Sequence, residues 1–365
     1  MWRRILYIFA YLVIWSGIVL CIVYVARLSS AHWDGLHINE LVIKTHNSHA
    51  LQSLISQDEI IKILSKNGVN PLHKDVDSID MSHIRDLVQM KQCVQQCKVW
   101  STYSGKFNID VKTFTPLFRL MVDGYDCFIT EQGYIFHPDP CGSFYTDIVT
   151  GKYQPPFAKD YTGDVKQHFL KELFPIKKAI KTCLAEEKKS QFQIDSIQKA
   201  LKQRKKAKLR KSFFESSKHF KKRNEDFAKE TDYLCKKLAE EISQRKEALS
   251  QMQIFKEKTQ LMLQQTTNAH SQFYKLLNFI KYLQRDSLFS AETVQLIAQT
   301  TSIGNISLSL VMRSGDYCLK VGELQGIEQK LEKAKSFLGK TLYKHKIGEM
   351  KEVDVSVDGV VITRQ

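Results

Sequence analysis

A second long apolar run is missing from this chain. Ile5 to Ala26 (ILYIFAYLVIWSGIVLCIVYVA) is an uncharged stretch of 22 residues, and nothing later in the 365 residues stays apolar for as long. At about 1.5 Å rise per residue, a helix of that length spans a hydrocarbon core of about 30 Å. With one span close to its start, the chain is expected to work almost wholly on one side of a membrane. Arg3, Arg4 and the amino terminus precede the run and Arg27 follows it. The positive-inside bias then leaves the N-terminus in the cytoplasm and the bulk of the chain outside. A cleaved signal peptide is the rival reading, because Ala26 to Ala31 offers small residues for cleavage. Signal cores usually run only about 7 to 15 residues, which favours a retained anchor.

The short patterns that carry chemistry are absent as well. There is no G-x-S-x-G, H-E-x-x-H, phosphate-binding loop or dinucleotide fingerprint, and the histidines are scattered. His46 and His49 read as turn residues near a strand end, and Asp75, Asp80 and Asp86 as acids in or flanking a helix. Of eight cysteines, Cys21 lies in the apolar run, and seven lie outside it: Cys93, Cys97, Cys127, Cys141, Cys183, Cys235 and Cys318. They form no C-x-x-C pair and no regular framework. Cys93 and Cys97 lack ligand partners at metal spacing and read as small buried residues. A bridge between Cys127 and Cys141 is left open. No enzyme, cofactor or metal is implied, so the chain is expected to act by binding.

Acidic charge is in short supply. The formal net charge is +15, and residues 199 to 223 hold 12 Lys or Arg against one acid, Glu215. In the cytoplasm such a run would point to nucleic acid. Beyond a membrane, anionic head groups or acidic cell-wall polymers fit better, with a merely solvated helix face as the plain alternative.

Glycine and proline are missing from Ile176 to Ile303, a condition that long helices tolerate best. Within that stretch Phe220, Phe227 and Leu234 recur by sevens, and Leu238, Ile242, Leu249 and Met252 continue at helical intervals, an imperfect coiled-coil pattern. Outside it the chain alternates short elements. Ile38 to Lys44 reads as a strand. A helix follows the capping box Ser56-Gln57-Asp58-Glu59, with Ile60, Ile61, Ile63 and Leu64 on its apolar face and Gly68 at its end. Asp80 to Lys91 reads as a second helix. Val94 to Thr102 and Lys106 to Lys112 form a hairpin through Ser104-Gly105. Leu117 to Val122, Tyr125 to Thr130 and Tyr134 to Phe136 make a meander turning at Asp123-Gly124 and Gln132-Gly133, and Pro138 to Gly163 reads as loops. After Gly304, strands Ile306 to Met312 and Tyr317 to Val321 flank Ser314-Gly315. A helix covers Ile327 to Tyr343, and Val353 to Val357 and Val360 to Thr363 flank Asp358-Gly359.

In that order the segments SQDEIIKILSKNGVNPL (56–72), KVWSTYSGKFNIDV (98–111), TFTPLFRLM (113–121), CFITEQGYIFHPD (127–139), FYKLLNFIKYLQRD (273–286) and EVDVSVDGVVITR (352–364) resemble the cell-division protein family FtsQ/DivIB, in its Bacteroidetes-like form. Cys127 and Thr130 stand where the family usually has Tyr and Asp, while the turn glycine, Gly133, is kept. The resemblance implies an α+β fold: a cytoplasmic tail (1–4), a transmembrane helix (5–26), a linker (27–36), a POTRA-like β-α-α-β-β domain (37–114), and a β domain in two parts (115–163 and 271–365). Residues 164–270 have no counterpart in that pattern and are expected to be a helical insert in the β domain.

The two parts of the β domain must meet, so the insert is expected to return on itself as an antiparallel hairpin with its midpoint near Ser216-Ser217. Lys205, Lys206, Lys208, Arg210, Lys211, Lys221, Lys222 and Arg223 then fall at its tip, where they are expected to meet an anionic surface such as peptidoglycan. The resemblance further implies a non-enzymatic inner-membrane scaffold, enriched at the division septum, that recruits FtsB/FtsL-like partners. The docking surface is expected at the terminal β edge, through Val360, Val361, Ile362 and Thr363, with Val357, Asp358 and Gly359 setting the approach. Strand addition to an exposed edge supplies the physical reason. Two other classes compete. A periplasmic adaptor of a secretion or efflux pump also sets a helical hairpin into a β domain, but the lipoyl-like half-motifs it needs are not found. A cell-wall hydrolase would need ligands or a nucleophile that the chain does not show.

Overall fold

A computed structural model describes residues 2–33, 36–46, 54–138, 144–210, 212–213, 215–313, 317–342, 351–357 and 361–364. Helix α1, Trp2–Trp33, carries the apolar run and continues through most of what the sequence suggested was a linker. Every residue from Tyr11 to Leu28 is exposed in the isolated chain, and this segment is long and apolar enough to cross a membrane.

The next segment is the expected β-α-α-β-β module. Strand β3, Lys106–Thr113, is central, with β1, Glu40–His46, parallel on one side and β2, Val94–Ser101, antiparallel on the other. Period-two alternation puts Phe107, Ile109 and Val111 on one face at 0% exposure. Helices α2, Gln57–Lys66, and α3, Met81–Gln89, cover that face through the i, i+4 pairs Ile60/Leu64 and Ile84/Val88. Half of the expected capping box forms. The Glu59 backbone N–H donates to Ser56 Oγ at 3.1 Å, whereas the Glu59 carboxylate accepts from Lys91 Nζ at 3.4 Å and ties α2 to the segment after α3. Asp80 caps α3 by accepting from the His83 N–H at 2.9 Å.

The second sheet contains ten strands in the order β13-β12-β11-β10-β9-β7-β4-β5-β6-β8. Its first part holds β4, Pro116–Val122, β5, Tyr125–Thr130, β6, Tyr134–Phe136, β7, Asp147–Lys152, and β8, Gly163–Asp164. Its second part holds β9, Thr293–Thr300, β10, Ile306–Met312, β11, Cys318–Glu323, β12, Glu352–Asp354, and β13, Ile362–Arg364, with helix α6, Ser287–Glu292, before β9 and α7, Ile327–Leu342, between β11 and β12.

Besides the two-residue β8, two strands lie where the sequence suggested none. Strand β7 falls inside the proline- and glycine-rich stretch read as loops, and β9 falls inside the stretch without either residue, read as helix. They are the seam of the sheet. Ile148 to Lys152 pair in parallel with Gln295 to Gln299, joining the two parts of the β domain across 145 or so intervening positions. At the seam Gly151 has φ +109°, and a Cβ there would stand 2.3 Å from the Ala298 carbonyl oxygen, so only glycine permits this approach. Strand β12 starts one residue earlier and ends sooner than the expected Val353–Val357, although the Val355 N–H still donates to the Lys320 carbonyl of β11 at 2.9 Å, and β13 begins at Ile362 rather than Val360.

The POTRA-like module and the start of the β domain share one apolar core. Phe128 and Phe136 belong to the same buried cluster as Phe107, Ile60 and Ile84, and Phe114 stacks on Tyr134 at 4.1 Å between ring centroids.

Residues Lys166–Tyr274 form a separate compact unit. It is built from α4, Val165–Lys206, and the greater part of α5, Ser217–Arg285. The arms are antiparallel, since partners on one arm rise as those on the other fall: Glu172 with His270, Cys183 with Met252, Gln193 with Arg245 and Arg204 with Glu230. Phe220, Phe227, Leu234, Leu238, Ile242, Leu249 and Met252 line the seam and are half-buried, which is what a two-helix interface achieves without a third layer. Pro175 lies within α4, where it removes the N–H that would bond the Lys171 carbonyl.

Candidate docking edge and helical hairpin

Strand β13 is the last strand at one end of the ten-stranded sheet, paired on its inner side with β12: Glu352 with Arg364, Val353 with Thr363 and Asp354 with Ile362. Inward packing fixes this end. Val353 and Val355 are buried, and α7 covers the region with Leu331, Ala334 and Leu338. The loop leading to β13 is pinned three ways. The Ser356 N–H donates to Asp354 Oδ1 at 2.8 Å, Lys320 Nζ lies 3.4 Å from Asp354 Oδ2, and Lys333 Nζ donates to the Val357 carbonyl. Burial pushes the Asp354 carboxyl up, and the Ser356 hydroxyl, its N–H and Lys320 together outweigh it, leaving the group below the usual carboxylate range. Gly322, φ +74°, makes room for this loop, since a Cβ there would lie 2.6 Å from Ser356 Cβ.

Of the residues expected to dock a partner, Ile362 and Thr363 are exposed on the edge strand, Ile362 at 43%. Val361 is half-buried just before the strand, and Val357 is exposed in the loop. Asp358, Gly359 and Val360 lie outside the described residues, as do the turn at Ser314-Gly315 and residues His49 and Cys141.

The basic tip comes from the end of α4, the connection after it and the first turns of α5. Lys205, Lys206, Lys208, Arg210, Lys221 and Lys222 are exposed, and Lys211 lies outside the described residues. Arg223 differs from the rest. Its guanidinium holds Glu215 at 2.7 Å and donates to the Arg210 carbonyl at 3.2 Å, so it braces the turn rather than adding free charge.

Cys93 and Cys97 are buried in the POTRA-like core, as their small apolar character suggested. Burial pushes the Cys97 thiol up to about 11 and the Cys127 thiol up to about 12. His46 meets Asp110 at 2.9 Å.

One cluster has no counterpart in the sequence reading. His168 and Glu172 sit one turn apart on α4, and His270 comes from α5; candidate ligand atoms of the three lie within 4.8 Å of one another. Glu172 Oε2 is 3.3 Å from His270 Nε2 and 3.7 Å from His168 Nδ1. His270 is 2% exposed, and its ring lies 4.1 Å from that of Phe169. Burial pulls the His270 pKa below the ordinary histidine value, partly offset by Glu172 and reinforced by His168. The His-x-x-x-Glu spacing was visible in the sequence, but the third member lies 98 residues further on and only the hairpin register delivers it.

Two family models match. A POTRA-like domain matches residues 39–112, and an FtsQ/DivIB C-terminal related domain matches residues 227–363. Together the two matches support an FtsQ/DivIB-family protein. Its domains are those of a cell-division protein of the non-enzymatic scaffold type, and the apolar α1 fits a single-pass membrane protein. The second match opens at Phe227, inside α5, and so takes in most of the second hairpin arm, whereas the sequence reading had given the family only its end (273–286) and assigned the arm up to residue 270 to an insert. No curated protein matches the chain.

Proposed function

We propose that this FtsQ/DivIB-family chain is a bitopic scaffold of the inner membrane, N-terminus cytoplasmic, that recruits FtsB/FtsL-like partners at the division septum by strand addition to β13. The observation that carries the reading is the position of β13 at the end of a ten-stranded sheet, with Ile362 and Thr363 exposed. An edge strand offers a row of unpaired N–H and C=O groups, and a partner strand completes the ladder while side-chain pockets give specificity. The short, twisted edge also explains why a dedicated partner is needed, since three residues make a poor template for unrelated chains.

The pump-adaptor alternative shares only the hairpin set into a β domain, whereas the POTRA-like match and the C-terminal match together speak for division. Successive residues of an edge strand direct their N–H groups alternately inward and outward. Proline is therefore placed singly at Val361, Ile362 and Thr363 of the full-length protein. At least one variant is expected to keep the wild-type thermal midpoint and lose capture of an FtsB/FtsL-like partner by tenfold or more, as about 1.4 kcal/mol of binding energy requires. Unchanged capture by all three abandons strand addition.

A further inference from the structure

We propose that His168, Glu172 and His270 form a binding site for a divalent transition-metal ion of the zinc class, clipping together the two arms of the helical hairpin. The argument starts from spacing. Residues i and i+4 share a helix face, so His168 and Glu172 present their side chains one above the other on α4. His270 faces them from α5, 98 residues later in sequence. Two imidazoles and one carboxylate are a donor set suited to zinc and to its borderline neighbours among the first-row ions, whereas hard cations prefer oxygen alone.

The dimensions agree. A tetrahedral ion with bonds of about 2.0–2.1 Å holds its ligand atoms roughly 3.3 Å apart. The His270 Nε2 to Glu172 Oε2 separation is already 3.3 Å, and the His168 Nδ1 to Glu172 Oε2 separation is 3.7 Å. Small rotations of exposed side chains close the rest, because the Glu172 side chain is 44% exposed and that of His168 18%. His270 supplies the fixed point. It is 2% exposed, its ring is pinned against Phe169, and its Nδ1 is buried without a hydrogen-bond partner among the described residues. The nitrogen that meets Glu172 is His270 Nε2, and that is the atom that would hold the ion. Three protein ligands leave one coordination position open toward the exposed side, for water or an outside ligand.

Besides the apolar seam, the cross-arm contacts noted above are single hydrogen bonds or ion pairs, whereas a shared ion would be held by both arms at once near the start of α4. The cluster lies in the turns of α4 just before Pro175, where the helix loses a backbone bond, so an ion there would hold the weakest part of that arm.

The test uses the full-length protein in detergent, stripped with chelator and titrated with Zn²⁺ alone by calorimetry. Co²⁺ serves as a spectroscopic stand-in whose visible d–d bands report tetrahedral nitrogen and oxygen ligation. One ion per chain is expected, with a rise in thermal midpoint. His168→Ala and Glu172→Gln are each expected to weaken binding about tenfold or more and to abolish the Co²⁺ bands. Both residues are partly exposed, so the variants fold even where His270→Ala does not. Absence of saturable binding by the wild type, or binding and Co²⁺ bands unchanged in both variants, overturns the proposal.

Discussion

At the scale of single residues, a few glycine and capping carboxylate positions set the local geometry of the β domain. Gly151 makes the seam between the two parts of the sheet possible. Gly151→Ala places a Cβ against the Ala298 carbonyl oxygen and forces a backbone at φ +109° that L residues rarely adopt. A loss of about 1–3 kcal/mol is expected, read as a lower denaturant midpoint. Gly322 acts on the docking edge instead. Gly322→Ala pushes Ser356 and the loop before β13, so partner capture should fall, and adding Ser356→Gly should restore part of it by removing the atom that the new Cβ meets. Capture that is insensitive to Gly322→Ala would separate this loop from the docking surface.

Asp286 gives a pH signature. It caps α6 by accepting from the N–H groups of Leu288 and Phe289 and pairs with Lys335 of α7 at 2.8 Å. Lys335 first, with the two backbone donors, holds the Asp286 carboxyl below its ordinary value, and Asp286 holds the Lys335 ammonium above its own. A depressed carboxyl contributes stability that is full above its unfolded pKa and is lost as pH falls through the folded one. The raised ammonium contributes stability that is full below its unfolded pKa and is lost as pH rises through the folded value. Asp286→Asn keeps a good cap and removes the charge. It should lower stability modestly near neutrality, since Lys335 is half-exposed and solvent screens the pair, and flatten the acid limb of a stability-versus-pH curve measured by chemical denaturation.

At the scale of elements, legibility followed local signal. The module from β1 to β3 was readable because Ser56, Gly68, Asp80 and Gly105 mark its ends and apolar residues keep a clean period between them. The hairpin was readable because, beyond Pro175, its arms lack both helix breakers and because its ends must meet. Strand β9 was not, since its sequence, TVQLIAQT, sits in the same glycine-free stretch as the helices and owes its conformation to pairing with β7 and β10. Strand β7 was hidden by the prolines around it. The last strand was expected at Val360 to Thr363, whereas β13 begins at Ile362, and β12 ends at Asp354, whose carboxylate accepts from the Ser356 N–H, a choice made by side chains rather than by periodicity. The His168–Glu172–His270 cluster was invisible for a different reason, because register between distant helix turns is a tertiary property.

The basic tip remains a proposal at this same scale. Charge reversal at Lys205, Lys206, Lys208 and Arg210 together should reduce sedimentation of the full chain with isolated cell wall, and the effect should shrink as salt rises, because exposed charges are screened within about 8 Å at physiological ionic strength. Arg223→Ala should instead loosen the turn, since Glu215 loses its partner. Sedimentation unchanged by the fourfold reversal would leave these residues as a solvated face.

At the scale of the whole molecule, the POTRA-like module and the β domain are coupled through aromatic side chains rather than joined by a free linker. Only Phe114 and Thr115 separate β3 from β4, and Phe114 stacks on Tyr134 while Phe136, fully buried, belongs to the core that holds Phe107 and Ile60. A linker that short, with Phe114 packed against the shared core, leaves little freedom for independent unfolding. Phe136→Ala removes a ring from that shared core at an expected cost of about 3–5 kcal/mol. The loss should appear in both domains, as faster amide exchange in the peptides carrying Ile84–Val88 and Phe107–Val111 as well as in β5 and β6. Exchange confined to β5 and β6 would mean two independent cores, and the docking edge would then be insulated from events at the module next to the membrane helix.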